Sequence, residues 1–407
     1  MNLEALTLRT RDQCRKYSDE LLAISKEIHA NPEIRFEERR ASNLDSKSLT
    51  RHGFVVEMGL AGMDTAFRAE RNLGPGGPTI VVCCEYDALP GLGHACGHNI
   101  IATAGAGAGI VASDILDEME IRSGTIVVLG CPAEEGGGGK VKLIDDGQFE
   151  GVDAALMIHP AGSDEIVRPN LGRLSLEVSF SGKASHASSA PELGVNALDA
   201  ATLFLVAIGL LRQQLRSDSR IHAIVVEGGD AVNVIPERSL LKVFVRSPDT
   251  TYLRDRLDLA VRRCAEGAAV ATGSAVSVLE VAPPYEPMRP NVSLSRVLRE
   301  SFIALGRHPA DSLAGTGGME SAGSTDMGNV SQVVPAVHPY IGIGTGLAGH
   351  TREFESAAGA ESGELATLDG AAILSAAVVE LMRSSDLRDR VTKEFMAAEL
   401  AAAEPGA

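Results

Sequence analysis

The sequence contains no tryptophan, and aromatic residues make up only 4% of its 407 residues. It has six cysteines, but none of them forms a Cys-x-x-Cys pair, so the spacing gives no sign of a disulfide framework and we expect free thiols. The core must therefore be mainly aliphatic, and the 43 glycines indicate many tight turns.

Positive charge is also scarce. The formal net charge is −17, and no run of lysine or arginine is long enough to follow a phosphate backbone. We therefore expect no binding to nucleic acid or to a membrane surface, and a small molecule or another protein as partner. The amino-terminal residues mix acids and bases instead of placing a basic segment before an apolar one, as a secretory signal does. This pattern predicts a cytoplasmic protein.

Long apolar runs are absent as well. The longest, Ala200–Leu211, contains about a dozen residues, whereas a helix needs about 20 to cross a bilayer. The run therefore predicts a buried helix in a globular protein.

Buried strands alternate with helices in the first part of the chain. The runs TIVVCCEYDALP and GTIVVLGCPAEE are typical of strands that are buried on both faces, and a helix rich in small residues lies between them. This order predicts an α/β domain in which helices flank a mixed sheet.

The pattern changes at Gly172, where LSLEVSFSG alternates apolar and polar residues. From there the order β-α-β-β-α-β extends over roughly 115 residues, which is the order of a ferredoxin-like α+β unit. We predict an α/β domain formed by residues 1–171 and 287–407, interrupted at 172–286 by a smaller inserted α+β domain.

Side chains that could bind a metal follow several of the predicted strands. Because the carboxyl ends of parallel strands meet at one edge of a sheet, these side chains can converge. Each one alone would more often be structural. A mixed sulfur, nitrogen and oxygen set with more than four members nevertheless favours two ions over one structural zinc. The candidates are Asp87, Cys96, His98, Glu134, Glu135, His159 and His350.

Six segments resemble a known family of enzymes. They are EYDALPGLGHACGHN, CPAEEGGGGK, IHP, GKASHASSAPELGVNALDA, NVIPERSLLKVFVR and GSTDMGNVS. Together they are similar to the two-domain, zinc-dependent aminoacylase and carboxypeptidase family of metallopeptidases, over nearly the whole chain. The Cys-Gly-His pattern resembles the amidohydrolase branch, and in particular the aminobenzoyl-glutamate hydrolase and β-alanyl-lysine dipeptidase groups.

The resemblance implies a site for two divalent ions, with zinc expected and manganese or cobalt as alternatives. Its implied ligands are Cys96, His98, Glu135, His159 and His350. It further implies that Glu134 is the general base and that Asp87 orients a ligand. Neighbouring side chains on an extended segment point in opposite directions, so Glu135 can bind metal while Glu134 reaches the water. Whether Glu85 also contacts metal is left open.

The resemblance implies that residues 1–171 and 287–407 form the catalytic domain and that 172–286 is a lid and dimerisation domain. Within this inserted domain it implies roles for three residues. His186 would stabilise the tetrahedral oxyanion, usually from the partner subunit of a homodimer. Asn233 and Arg246 would bind the carboxylate of the substrate, because a guanidinium can hold a carboxylate through two hydrogen bonds. Without the resemblance, His186 would be interpreted as a surface residue and Arg246 as a solvated charge on an edge strand.

These inferences predict a metal-dependent amidohydrolase that cleaves a dipeptide or an N-acyl amino acid with a metal-activated water. Dipeptides with a basic residue are the first expectation, while aminobenzoyl-glutamate, other N-acyl amino acids and xenobiotic amides stay open. A second hypothesis is a non-catalytic or regulatory relative that binds small amides. A third is a cysteine enzyme that uses Cys96 and His98.

Overall fold

A computed structural model describes residues 1–310 and 323–403, which form two compact units. The second unit contains Asn170–Pro287 together with residues 323–328, and the first contains the other described residues. The sequence placed the inserted domain at 172–286. Of the predicted final segment, 287–407, residues 311–322 and 404–407 lie outside the described residues.

The first unit contains a six-stranded mixed sheet. Its spatial order is β1 (Val55–Met58), β2 (Phe67–Gly74), β4 (Gly124–Cys131), β3 (Thr79–Glu85), β5 (Ala154–Leu156) and β11 (Ala336–Val337). The strands β4, β3, β5 and β11 are parallel, whereas β1 and β2 join by antiparallel pairing. A separate parallel pair consists of β6 (His159–Ala161) and β12 (Tyr340–Gly342). The predicted mixed sheet is confirmed, and its central strands are buried on both faces.

Some helices pack against this sheet, and others pack on those helices. Outside Asn170–Pro287 they are α1 (Leu3–Lys16), α2 (Ser18–Ala30), α3 (Arg39–Arg51), α4 (His98–Glu118), α5 (Gly139–Asp145), α9 (Val292–Ala304), α10 (Met327–Val333), α11 (Arg352–Ala358), α12 (Glu361–Arg383) and α13 (Ser385–Ala403). The small residues of α4 let it lie directly against the strands. A Cβ added at Gly105 would lie 2.4 Å from Cys84 Sγ, and one at Gly109 would lie 2.4 Å from Val128 Cγ2.

Both ends of the described chain are helical. At the amino-terminal end α1 and α2 meet at Tyr17, whose hydroxyl donates a hydrogen bond to Asp114 of α4. At the carboxyl-terminal end α13 continues to Ala403. Buried Leu387 and Val391 anchor the first half of that helix in the core.

The second unit contains a four-stranded antiparallel sheet. Its order is β10 (Ala275–Glu280), β7 (Gly172–Ser181), β9 (Arg238–Ser247) and β8 (Arg220–Glu227). Its helices are α6 (Ala197–Leu211), α7 (Thr250–Tyr252) and α8 (Leu259–Thr272), and a π-helical segment Leu253–Asp258 joins the last two. This arrangement confirms the ferredoxin-like α+β domain, in which one face of the sheet packs against the helices.

Three helices are long and apolar enough to cross a membrane by length and composition alone. In the apolar windows of His98–Glu118 and Glu361–Arg383, 94% and 78% of the residues are buried inside the protein. For Ala197–Gln214 the share is only 28%, so the prediction that Ala200–Leu211 is a buried helix was wrong. Only one side of α6 packs on the sheet, and Leu203, Val206 and Leu210 on another side are exposed.

Candidate metal centre

The predicted ligands gather at the carboxyl ends of the parallel strands. Asp87 follows β3, Glu134 and Glu135 follow β4, and His159 follows β5. His98 is the first residue of α4. The turn before it requires glycine, because Gly97 has a φ of 76° and an added Cβ would lie 2.4 Å from Pro160 Cγ.

A first group of ligand atoms consists of Cys96, His98 and His159. One atom of each lies within 4.8 Å of the other two. Cys96 Sγ is 3.5 Å from His159 Nε2, and the two imidazole rings are perpendicular, with centroids 5.9 Å apart. His159 Nδ1 lies 2.7 Å from the carbonyl oxygen of Pro160, so the ring can donate there and turn Nε2 towards the cysteine.

A second group consists of Cys96, Glu135 and His350, again with one atom of each within 4.8 Å of the others. His350 Nε2 lies 3.2 Å from Glu135 Oε1. The backbone of His350 is left-handed, with a φ of 63°, and its N–H donates to the carbonyl oxygen of Ala95 at 2.8 Å. Cys96 belongs to both groups, so it is the residue that the two candidate sites share.

Asp87 orients members of both groups. Its Oδ1 lies 3.0 Å from His98 Nδ1, and its Oδ2 accepts a hydrogen bond from the Glu135 N–H at 2.8 Å. The contact with Nδ1 leaves His98 Nε2 as the ring atom available to a ligand. That atom is buried and has no hydrogen-bond partner among the described residues.

The electrostatics of these side chains suit a divalent cation. Burial, followed by the charge of Glu135, raises the pKa of the Cys96 thiol well above its usual value. Burial opposes a charged His98, but Cys96 and Asp87 outweigh it and raise the pKa of that imidazole. A bound cation would displace both protons.

His159 and Glu135 are already in suitable protonation states. Burial lowers the pKa of His159 to about 4 and so keeps its ring neutral. Burial opposes ionisation of Glu135, but the neighbouring His350 and His98 lower its pKa to about 2. Imidazole nitrogens, a carboxylate and a displaceable thiol proton form a donor set that suits zinc.

Two nearby residues, Lys140 and His338, were not identified from the sequence as members of the site, and the role of Glu85 was left open. Lys140 Nζ lies 2.5 Å from Glu85 Oε1, with both side chains fully buried. The other oxygen, Glu85 Oε2, lies 3.4 Å from His98 Nε2, and Glu85, His98 and Glu134 form a third group of possible ligand atoms. His338 is buried with its ring centroid 5.5 Å from that of His159.

A signal for His338 was present in the sequence. It lies in VHP after β11, just as His159 lies in IHP after β5, and these two strands are neighbours in the sheet. No comparable pattern marked Lys140. His94, the other histidine of HACGHN, is buried and stacks on His29 with ring centroids 6.2 Å apart, and it belongs to neither of the two groups that share Cys96.

The other predicted site residues lie in the second unit. His186 is exposed, and its Nδ1 accepts hydrogen bonds from the N–H groups of Ser188 and Ser189 at 3.3 and 3.2 Å. The loop of Asn233 lies beside it, because the carbonyl oxygen of Asn233 accepts from the next residue along, Ala187, at 3.0 Å. Arg246 is half-buried on β9.

Comparisons with known proteins agree with this architecture. The family model described as "Peptidase dimerisation domain" matches residues 170–271. The chain is 38% identical to the Xaa-Arg dipeptidase of Mus musculus over 97% of its length and 93% of that protein. It is 34% identical to the Xaa-Arg dipeptidase of Homo sapiens over 97% of its length and 92% of that protein. It is also 34% identical to a subunit of the p-aminobenzoyl-glutamate hydrolase of Escherichia coli (strain K12), over 64% of the chain and 56% of that relative.

Solved structures share the fold. One is the YXEP protein of Bacillus subtilis, described as a dinuclear metal binding peptidase from the M20 family, with a TM-score of 0.64, 20% identity and coverage of 90% of this chain and 99% of that one. Another is an aminobenzoyl-glutamate utilization protein from Klebsiella pneumoniae, with a TM-score of 0.66, 21% identity and coverage of 88% and 97%.

Proposed function

We propose that this chain, which belongs to the M20 peptidase family, is a dipeptidase that releases the carboxyl-terminal amino acid of its substrate. The chain is a metal-dependent amidohydrolase, like its named relatives. The observation that carries the proposal is the pair of ligand groups that share Cys96, because a shared thiolate can serve two ions. Dipeptides that end in a basic residue are the first substrates to test, since two relatives are named Xaa-Arg dipeptidases.

Two divalent ions would be held by the five ligand candidates already described. They are Cys96, His98, Glu135, His159 and His350. When bound, such ions polarise the scissile carbonyl and lower the pKa of water towards neutrality. Zinc suits this donor set, and manganese or cobalt are the alternatives.

The acid and base steps fall to Glu134. It is only 7% exposed, and one of its oxygens lies within 4.8 Å of ligand atoms of Glu85 and His98. In the proposed reaction its carboxylate accepts the proton of the attacking water and passes it to the leaving amine. Asp87 keeps His98 oriented through the contact with Nδ1, and His186 donates a hydrogen bond to the developing oxyanion.

Substrate recognition is assigned to the second unit. Asn233 and Arg246 bind the free carboxylate of the carboxyl-terminal amino acid, as the family resemblance implies. Arg246 suits this role because it is half-buried and makes no ion pair in the described part of the chain, so its donors are available to an incoming anion.

A homodimer through the second unit completes the proposal. The matching family model describes a dimerisation domain, and this unit exposes apolar side chains on α6 and on β8, an edge strand. They are Leu203, Val206 and Leu210 on α6 and Ile224, Val225 and Val226 on β8. Apolar edges of this kind favour pairing with a second chain. Sedimentation analysis of wild type and Val206→Glu tests this, and a monomeric wild type would contradict it.

A cytoplasmic location is supported by the cysteines. All six are free thiols, which is typical of a reducing compartment. Cell fractionation tests this part of the proposal, and recovery of the protein only outside the cytoplasm would contradict it.

The function itself is tested with chelator-treated protein reconstituted with zinc, manganese or cobalt. Release of amino acid is followed by mass spectrometry from Xaa-Arg, Xaa-Lys and Xaa-Glu dipeptides, p-aminobenzoyl-glutamate and N-acetyl amino acids. We expect metal-dependent cleavage, most rapid for the basic dipeptides. Bound metal without cleavage of any substrate would favour a binding role, and full activity without metal would favour Cys96 as a nucleophile.

A further inference from the structure

Three arginines lie in a row across the sheet of the second unit. Arg246 on β9 is directly opposite Arg173 on β7 on one side and Arg220 on β8 on the other. Residues paired in this way have Cβ atoms about 5 Å apart, and like charges at that spacing are unfavourable. The sheet therefore places three positive groups where side chains of mixed charge would be more stable.

The row faces away from the helices. In a strand, successive side chains point to opposite faces, and the residues next to the arginines belong to the core that contains residues of α6 and α8. These core residues are Leu174, Ile221 and Val245. Hence the guanidinium groups share the other face of the sheet with Phe244.

Arg173 is the most deeply buried member of the row, with 6% exposure. Its guanidinium carbon lies 4.0 Å from the ring centroid of Tyr285 and 4.9 Å from that of Phe244. Its Nε and Nη2 atoms are buried without a hydrogen-bond partner among the described residues. A buried guanidinium with unused donors is unfavourable unless an anion joins it.

Arg246 shares this environment. Its guanidinium carbon lies 5.5 Å from the ring centroid of Phe244, and its buried Nε has no partner in the described part of the chain. Burial, followed by the charge of Arg173, lowers the pKa of Arg246. The two guanidinium groups thus face one aromatic ring from neighbouring strands with unused N–H donors.

Arg220 differs from the other two. It is exposed, and its Nη1 donates to the carbonyl oxygens of Ser217 and Ser219 at 2.6 and 2.8 Å. Because its side chain is exposed and Nη1 already donates to two carbonyl oxygens, its charge needs no further anion. It is a matched control from the same row.

We infer that Arg173 and Arg246 together form a receptor for a carboxylate, and that Arg173 is a specificity-determining residue for the free carboxyl terminus of the substrate. This inference rests on the proposed function, which supplies a peptide with such a terminus. Two guanidinium groups at paired strand positions offer more charge-assisted hydrogen bonds than Arg246 alone. A substrate whose carboxylate is replaced by a neutral carboxamide leaves both arginines without a partner and binds weakly.

The test measures binding rather than turnover. The full-length, zinc-reconstituted Glu134→Gln protein is titrated calorimetrically with β-alanyl-lysine and with its carboxyl-terminal amide. We expect Arg173→Met and Arg246→Met each to weaken binding of the carboxylate form about 10- to 100-fold and to leave binding of the amide unchanged. Arg220→Met should change neither. Since no hydrolysis is needed, failure of the proposed function would not hide this result.

A stability measurement separates a receptor from a structural role. If Arg173 has no anionic partner until the substrate binds, Arg173→Met removes an unpaired buried charge. The variant should then raise the Tm of the ligand-free protein. Arg173→Lys keeps the charge but loses the planar fork, and should bind the carboxylate form with intermediate affinity.

Three results would overturn the inference. One is unchanged discrimination between carboxylate and amide in Arg173→Met. Another is a lower Tm or loss of the dimer in that variant, which would mean that Arg173 is paired within the assembly. The last is failure of both Arg173 variants to fold.

Discussion

Lys140 Nζ and Glu85 Oε1 lie 2.5 Å apart, and neither side chain is exposed to solvent. The second oxygen of Glu85 lies 3.4 Å from His98 Nε2. Lys140 therefore balances a carboxylate that would otherwise add a further negative charge beside Glu134 and Glu135. The pair couples the stability of this part of the protein to the charge of the metal centre.

Replacing Lys140 with methionine should destabilise the metal-free protein by about 3–5 kcal/mol, because Glu85 would be left buried and unpaired. The double variant Lys140→Met/Glu85→Leu should recover much of this loss, since both charges are then removed. Denaturant unfolding of the metal-free proteins measures both effects. An unfolding midpoint of wild-type value in the single variant would contradict the prediction.

The adjacent glutamates should respond differently to substitution. Glu134→Gln should lower kcat by about 10²- to 10⁴-fold while metal content stays at the wild-type level, because only the proton carrier is lost. Glu135→Gln should lose metal, since Glu135 belongs to a ligand group with Cys96 and His350. Steady-state kinetics and metal analysis by mass spectrometry of both variants test these two predictions. Wild-type turnover in fully metallated Glu134→Gln would exclude Glu134 as the base.

Because Cys96 belongs to both ligand groups, the number of metal ions that each ligand variant loses per chain can be predicted. Cys96→Ala should lower the occupancy of both metal positions, whereas His350→Ala should lower only one, because Cys96 belongs to two ligand groups and His350 to one. His308→Ala, at an exposed histidine outside these groups, is the control. Metal content per chain by native mass spectrometry measures the difference, and equal losses in Cys96→Ala and His350→Ala would count against a shared ligand.

Metal binding should also stabilise the fold. Because the ligands converge only in the folded chain, zinc at about 100 times its Kd adds about 2.7 kcal/mol to the free energy of unfolding. The Tm should therefore fall in excess chelator and recover when zinc is restored. A Tm that is independent of zinc would show that no tight site exists.

Asp45 predicts a pH dependence of stability. It is fully buried, neither carboxyl oxygen has a hydrogen-bond partner among the residues described, and burial raises its pKa to about 8. The folded state keeps this proton up to about pH 8, whereas the unfolded chain releases it near pH 4. The contribution of Asp45 to stability is therefore complete below about pH 4 and is lost as the pH rises through 8.

Asp45→Asn should remove this dependence. Relative to the variant, wild type should lose stability by about 1.4 kcal/mol per pH unit between pH 4 and pH 8, so the variant is the more stable protein at pH 8. Asp64→Asn, at a side chain that is 75% exposed, is the control. Urea unfolding at pH 5 and pH 8 measures the slope, and parallel curves for wild type and Asp45→Asn would refute the prediction.

Local sequence patterns were sufficient to predict the strands and the turn that position the ligand candidates. The β-branched runs before Asp87 and Glu134 fix two buried strands, and parallel pairing of such strands brings their carboxyl ends to one edge. The glycine of HACGHN allows the turn that places His98 at the start of α4. The family and the two-domain architecture followed from long, dispersed motifs that a single sequence can display.

Tertiary structure alone decided the remaining partners. Lys140 and Glu85, like Arg173 and Arg246, are far apart in the chain, and nothing in their local periodicity indicates that they meet. Strand register makes Arg173 and Arg246 neighbours, and a shift by one residue would turn either side chain into the core. Burial then determines the chemistry, because a lysine or arginine that would be an ordinary solvated charge in the sequence becomes, inside the fold, a group that requires an anion.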